Sequence, residues 1–501
     1  MAIGLESLIR AMRQGAVLLC GLFLLAAPAR AQEPVWSDRA IDSLVYALSE
    51  AWTHGLDPRD YGDPARLSAL DAGTERDRIA SDIFRAYARD LAFGRVDPRR
   101  LDPDWTAAVV DQDIEAWLAR ALESEAAHEA LEALAPGHPD YQALRQELIY
   151  RLTLPESPIP VPDGPPLARG DRGPRVDALR ARLHQLGLLE VPGRRGAAFD
   201  ARLETALMRF QARMRLAADG RLGPATLAEL NTPAEWRIDQ LRANLERWRW
   251  LTHDLGERHV RVNIADYRLE SWSGGAPVRE HEIQIGAGYS RTPVFSDTMR
   301  YIEINPVWYA GAGLGSSLMN QMRYRPAAAL SDGYRLVSLD TGGVVSPYDA
   351  DWARGRYRLI QLPGPSNAMG EVKFMFPNRH NVYIHDTPHR DAFADAQRDN
   401  SAGCVRVKDP ADLAWWVLEN EPGWTRLRLQ EVMATDETTR VWLDRPIPVH
   451  ILYFTAVADR FGGVRFVHDV YGRDRALVAA LDGRYPEPAP AATGLSSAAL
   501  D

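Results

Sequence analysis

Six prolines fall within twelve residues, 155–166 (PESPIPVPDGPP). Proline fixes φ, lacks an N–H donor and restricts the residue before it, so neither a helix nor a central strand runs through such a stretch. The fold must be built on either side of it. The segment reads as an extended, semi-rigid linker. The 501 residues of the chain leave room for roughly three domains at about 150 residues each.

On the N-terminal side, residues 32–154 read as helical. Ile41, Leu44, Val45 and Leu48 follow the i, i+3, i+4, i+7 spacing of one buried face. Residues 107–152 are rich in Ala, Leu, Glu and Arg, all good helix formers. On the other side, residues 167–232 form a small helical unit. Val176, Leu179, Leu183 and Leu186 mark one helix, and Leu203, Leu207, Phe210 and Met214 a second; Gly223-Pro224 opens a short third. A connecting helix over 233–256 mixes charge with tryptophan (RIDQLRANLERWRWL). From 257 to 480 the pattern changes to alternating runs such as HVRVN, YRLESW and EHEIQI. Mostly sheet is expected there. The tail, 481–501, is Pro- and Ala-rich and reads as disordered. The fold class is therefore multidomain α+β.

Arg10 and Arg13 precede an apolar run over 15–27 (GAVLLCGLFLLAA), followed by Ala29-Arg30-Ala31. This is the three-part pattern of a secretory signal peptide, residues 1–31. The run is short of the roughly 20 residues a membrane span needs, and no later run approaches that length. No stable membrane span is expected after cleavage. The chain has two cysteines, Cys20 and Cys404, which excludes a disulfide scaffold and a four-cysteine zinc site. Cleavage leaves Cys404 alone. A lone thiol in an exported protein is either a buried apolar residue or a reactive group. The net charge of −9 argues against nucleic acid as a partner.

The densest chemistry lies over 373–407. His385 ends an apolar strand carrying Val382 and Ile384, and Cys404 follows nineteen residues later within Ser401-Ala402-Gly403-Cys404-Val405-Arg406. One reading is nucleophilic catalysis. Cys404 would be the nucleophile and His385 its base, with the imidazole drawing the thiol toward thiolate, from about 8.5 to as low as roughly 3.5–7.5. Gly403 permits a tight turn whose N–H groups could hold an oxyanion. Arg406 could bind a substrate carboxylate. The competing reading is a buried cysteine and a satisfied histidine. A metal site from His380, His385, His389 and Asp386 is disfavoured, because Pro388 breaks any helix that would gather ligands at i, i+4. The glycine clusters at 286–288 and 311–315 lack the spacing and helix of a nucleotide loop. No cofactor is expected.

At these residues the sequence resembles the L,D-transpeptidases with a YkuD-type domain. His385-Asp386-Thr387-Pro388 and Ser401-x-Gly403-Cys404-Val405-Arg406-Val407 look like that family's active-site signature. Flanking blocks are similar to its large periplasmic branch: Arg291-Thr292-Pro293, Asn305-Pro306-x-Trp308, Pro363-Gly364-Pro365-x-Asn367, Lys373-Phe374-x-Phe376-Pro377-Asn378 and Asp469-x-Tyr471-Gly472. His54-Gly55-Leu56 and residues 94–98 (GRVDP) resemble the scaffold region of that branch, and 167–232 resembles a peptidoglycan-binding domain.

The resemblance implies a periplasmic enzyme that cross-links peptidoglycan tetrapeptide stems 3→3 through a Cys404 thioester, with release of D-alanine. Cell-wall synthesis enzymes would be further partners. It implies Cys404, His385 and Gly403 as catalytic residues, and Arg406, Tyr383, Asp386, Ser401 and Asn367 as lining or bracing the substrate site. A hydrolase on the same fold (an L,D-carboxypeptidase or lipoprotein-releasing amidase) and a non-catalytic wall-binding protein are the alternatives. Two departures stand out. Ala402 occupies a position where His or Ser is common, and Tyr309-Ala310-Gly311 follows Trp308 where Val-Pro is frequent. A lid insertion is expected at about 311–359, mobile at its Gly-rich start.

Overall fold

The computed structural model describes residues 34–484 except 104, 108–111, 154–158, 192, 215, 253, 311 and 460–462, and only the backbone of 312–316. The signal-peptide reading of 1–31 and the disorder reading from Tyr485 onward lie outside the described residues. Six helices build the N-terminal region: α1 (Asp38–Ser49), α2 (Pro64–Ser68), α3 (Thr74–Phe93), α4 (Ile114–Ser124), α5 (Ala127–Leu134) and α6 (Pro139–Thr153). Ser37 starts α1 by accepting a hydrogen bond from the Ala40 N–H, and Asp113 does the same for α4. Ile41, Leu44 and Leu48 fill the buried face of α1, as their spacing predicts.

The second helical unit holds α7 (Pro174–Gln185), α8 (Ala201–Arg213) and α9 (Pro224–Leu230). The described half of the proline stretch is laid against it. Val161 is buried, and its N–H and C=O bond the Asn231 side chain at 2.9 and 2.8 Å. Arg175 reaches the carbonyls of Pro162 and Pro165. Proline removes donors but not acceptors, so one arginine fastens the strap.

Helix α10 (Ala234–Arg249) departs from its polar appearance. It runs through the interior, against α3, α6 and the C-terminal helix, and buries Glu246, Arg247 and Arg249. Each charge is paired. Arg249 bonds Glu246 at 2.6 Å and the His54 carbonyl at 2.9 Å, while Arg247 meets Asp474 at 2.7 Å. Glu246 also accepts from the Val96 N–H at 2.7 Å and from Trp250 Nε1 at 3.2 Å. A Cβ on Gly94 would lie 2.7 Å from that carboxylate, and its φ is +83°. This is why glycine stands there.

The C-terminal region is built on β1 (Arg258–Asn263), β2 (Arg268–Ser273), β3 (Ala276–Gly286), β4 (Phe295–Ile304), β5 (Trp308–Tyr309), α11 (Ala312–Tyr324), α12 (Pro326–Ser331), β6 (Tyr334–Ser338), β7 (Val344–Val345), β8 (Tyr357–Gln361), β9 (Val372–Met375), β10 (Ile384–His385), β11 (Asp399–Ser401), β12 (Val405–Val407), α13 (Pro410–Leu418), α14 (Arg426–Met433), β13 (Thr439–Leu452), β14 (Ala456–Ala458), β15 (Val464–Phe466) and α15 (Asp474–Leu481). Nine strands form one mostly antiparallel sheet in the order β11-β3-β12-β10-β9-β4-β13-β1-β2. Strand β3 is long enough to pair β2 with its first half and β12 with its second, so the sheet closes on itself.

The region is mostly sheet, as expected, and carries two helical features besides. Helix α13 (PADLAWWVL) hides in the sequence because it is apolar almost all round, and it is largely buried. The lid region holds two helices and its own four-stranded sheet, β5-β8-β6-β7, around a small separate core of Met322, Ala329, Leu336 and Leu359. Its Gly-rich start is helical from Ala312.

Candidate active site

Registers across six neighbouring strands, β3-β12-β10-β9-β4-β13, align Gln284, Arg406, His385, Lys373, Glu303 and Arg440 in one row. One residue away, Val405, Ile384, Phe374, Ile302 and Val441 form a second row, all buried. Side chains alternate across a strand. The apolar row therefore faces the core and the polar row faces the other side. Cys404 and Tyr383 each stand two residues before a member of the polar row, so they share its face.

The turn before β12 is held from three directions. Within it, Ser401 Oγ donates to the Cys404 carbonyl at 2.6 Å and accepts from the Gly403 N–H at 3.1 Å. Ser290 Oγ donates to the Ala402 carbonyl at 2.9 Å, and Thr292 Oγ1 to the Gly403 carbonyl at 2.8 Å. Gly403 has φ +116°, where a side chain would be strained. The Gly403–Cys404 peptide is planar, so fixing the Gly403 oxygen points the Cys404 N–H the opposite way. That N–H has no acceptor among the described residues. The Gly403 N–H is already bonded to Ser401, which leaves Cys404 as the donor open to an oxyanion. Ala402 contributes backbone only, which suits the alanine found there.

His385 is buried, and its Nδ1–H donates to the Asp386 carbonyl at 2.5 Å. That bond leaves Nε2 as the basic nitrogen. Burial pushes its pKa down to about 3, and the Arg406 guanidinium adds to the fall. Burial likewise pushes the Cys404 thiol up, against the Tyr383 N–H, Lys373 and Arg406, which favour thiolate. Burial thus disfavours the charged form of each residue, which for the thiol is opposite to the shift the sequence suggested. The thiol donates a long hydrogen bond to the Asn381 carbonyl, at 3.9 Å, and makes none to His385.

The other candidates are distributed unevenly. Arg406 sits beside His385, bonds Gln284 through Nη1 at 3.2 Å, and keeps a buried Nε without a hydrogen-bond partner. Tyr383 packs under Lys373 Nζ at 4.4 Å. Three residues turn away from the substrate face. Ser401 spends its hydroxyl inside the turn. The Asp386 carboxylate bonds the Glu371 N–H and Arg390, both at 2.9 Å, so its backbone rather than its side chain serves His385. Asn367 is buried at the base of the lid, where its amide donates to the carbonyls of Pro306, Gln361 and Leu362 at 2.9–3.2 Å. It clamps the two stalks of the lid together. Sequence reasoning gave no role to Lys373, Thr292, Asn378 or Tyr471. All four lie in the flanking blocks, but only cross-strand register and hydrogen bonding reveal their work. Asn378, for example, ties down the loop before β10 by bonding the carbonyls of Phe376 and Val382, both at 2.7 Å.

Three family models match the chain: the L,D-transpeptidase catalytic domain over residues 257–441, a scaffold domain over 28–148, and a family described as "Putative peptidoglycan binding domain" over 172–230. A Haemophilus influenzae protein named "Putative L,D-transpeptidase" is 34% identical over 221 residues, covering 43% of this chain and 44% of that protein. The chain thus spans less than half the length of that relative. Similar solved structures include an L,D-transpeptidase from Mycobacterium smegmatis (13% identity, 39% of this chain and 58% of that chain, TM-score 0.20). Another is an L,D-transpeptidase from Stackebrandtia nassauensis (14% identity, 58% and 96%, TM-score 0.22).

Proposed function

We propose that this chain, which carries the catalytic domain of the L,D-transpeptidase family, is an exported, periplasmic enzyme that forms 3→3 cross-links between peptidoglycan tetrapeptide stems. The observation that carries the reading is the Cys404 turn, with its open N–H, on the same face as a neutral, correctly tautomerised His385. Cys404 Sγ attacks the carbonyl between the third and fourth stem residues as Nε2 of His385 takes the thiol proton. The oxyanion forms at the Cys404 N–H, a contact typically worth about 2.7–4 kcal/mol. Collapse breaks the C–N bond, and D-alanine leaves with the proton from His385. The side-chain amine of a second stem then attacks the thioester, giving its proton to His385, and the sulfur departs to recover that proton. One amide replaces another, so no external energy source is needed. Arg406, beside His385, would hold a stem carboxylate. The wall-binding-like unit would hold the chain near its substrate.

Incubating the protein with disaccharide tetrapeptide and weighing the products tests this. A dimer lighter than two monomers by one alanine is the expected product. A tripeptide monomer alone would replace transfer with hydrolysis, and unchanged substrate would sink both.

The depressed His385 pKa makes a second prediction. The base is neutral above about pH 3, so it stays competent far into acid. The rate of Cys404 acylation should therefore lack the tenfold-per-unit fall below pH 6.5 that an ordinary histidine base would impose. A limb near pH 6.5 in the rate profile would contradict this electrostatic account.

A further inference from the structure

The N-terminal helical region meets the catalytic region at several places, among them Asp140 with Arg261 and Arg151 over Phe466; within one short segment, two of the contacts lead to one residue. The Thr106 N–H donates to the Val294 carbonyl at 2.9 Å, two residues from Thr292. Asp102 pairs with Arg473 at 2.7 Å. The Arg473 guanidinium lies over the Tyr471 ring at 5.3 Å and the Tyr453 ring at 4.9 Å. The Tyr471 hydroxyl donates to the Gly286 carbonyl at 2.6 Å and accepts from the Thr292 N–H at 3.1 Å. Thr292 Oγ1 accepts from the Gly286 N–H at 2.9 Å and donates to the Gly403 carbonyl. Gly286 is pressed so close that a Cβ there would lie 2.1 Å from the Ser290 oxygen and 3.0 Å from Gly403 Cα. The assembly has little slack.

We propose that Thr292 and Tyr471 are positioning residues for the Cys404 N–H, and that the segment carrying Asp102 and Thr106 sets them, making the helical region a working part of the active site. The proposal rests on the acyl-transfer reading above. Its physical content is directional. Thr292 holds the Gly403 oxygen, peptide planarity turns the Cys404 N–H toward the substrate face, and Tyr471 holds Thr292. Arg473 holds Tyr471 only while Asp102 anchors its charge. Loosening any link costs oxyanion stabilisation without touching the thiol.

Two rates at Cys404 separate these effects in the full chain. Acylation by a carbapenem passes through an oxyanion; alkylation by iodoacetamide does not. Thr292→Val is expected to slow acylation by about tenfold or more, since one misaimed donor can cost about 10²–10³. Tyr471→Phe and Asp102→Asn should each slow it severalfold. Alkylation should stay within about twofold of the parent in all three. Asp102→Asn keeps the side chain's shape and alters a partly exposed ion pair, so it keeps the test sound if a buried variant fails to fold. Equal acylation in every variant would overturn the proposal, as would both rates falling together. A parent chain that is alkylated but never acylated would instead bring down the acyl-transfer reading itself.

Discussion

Muropeptides incubated with the Cys404→Ser chain should come back unchanged, with neither dimer nor shortened monomer. The turn already raises the thiol's pKa by burying it. A serine hydroxyl is a far weaker acid than a thiol, and the same desolvation would burden its alkoxide further. The His385→Gln partner experiment is more diagnostic. Glutamine can still donate to the Asp386 carbonyl but offers no base, so product formation should drop by about 10²–10⁴. Mass spectrometry of products and of the acylated protein reads both. Full cross-linking by Cys404→Ser would end the thioester mechanism. An undiminished His385→Gln variant would mean another group takes the proton, with Lys373, its cross-strand neighbour on that face, the alternative.

The largest expected effect on stability comes from Glu246→Ala. That carboxylate has three dependants, each buried: the Arg249 guanidinium, the Val96 N–H and the Trp250 indole N–H. Removing it strands a full charge and two donors in the interior. Breaking a buried pair on one side costs about 3–5 kcal/mol. Because the Glu246 bond to the Val96 N–H joins α10 to the segment that begins at Gly94, the loss should appear in the first unfolding transition on chemical denaturation. It should also slow carbapenem acylation, since the freed segment carries Asp102 and Thr106. A change under about 1 kcal/mol would mean that water or a rearranged partner reaches Arg249.

Much of this was legible in the residues. The i, i+3, i+4 spacing around Ile41 and Leu179 marked real buried faces. The short alternation at Val382 and Ile384 put His385 on the face opposite those apolar neighbours. What stayed hidden was long-range. Nothing near Lys373 in the sequence says that it will lie between His385 and Glu303, because register is decided by strands that meet only in the closed sheet. The burial of the α10 charges was not legible because their partners, Asp474 and the segment around Val96, are distant in sequence. Only the family resemblance marks Asn367 as a substrate contact. Its three bonds to the lid stalks come from chain segments that sequence alone does not bring together. The direction of the thiol's pKa shift also escaped, since the degree of burial is a property of the finished fold.

The closed sheet has a consequence for timing. Cys404 and His385 lie on β12 and β10 or next to them, yet the polar row on their face is completed by Arg440 from β13, and β13 must seat between β4 and β1 before the ring exists. Pairings that join such distant stretches pay their loop-closure entropy before they return any contact energy, so they form late. A chain still being synthesised can hold Cys404, His385 and the turn between them before that row is complete. Its last member comes with the seating of a strand that supplies neither of those residues.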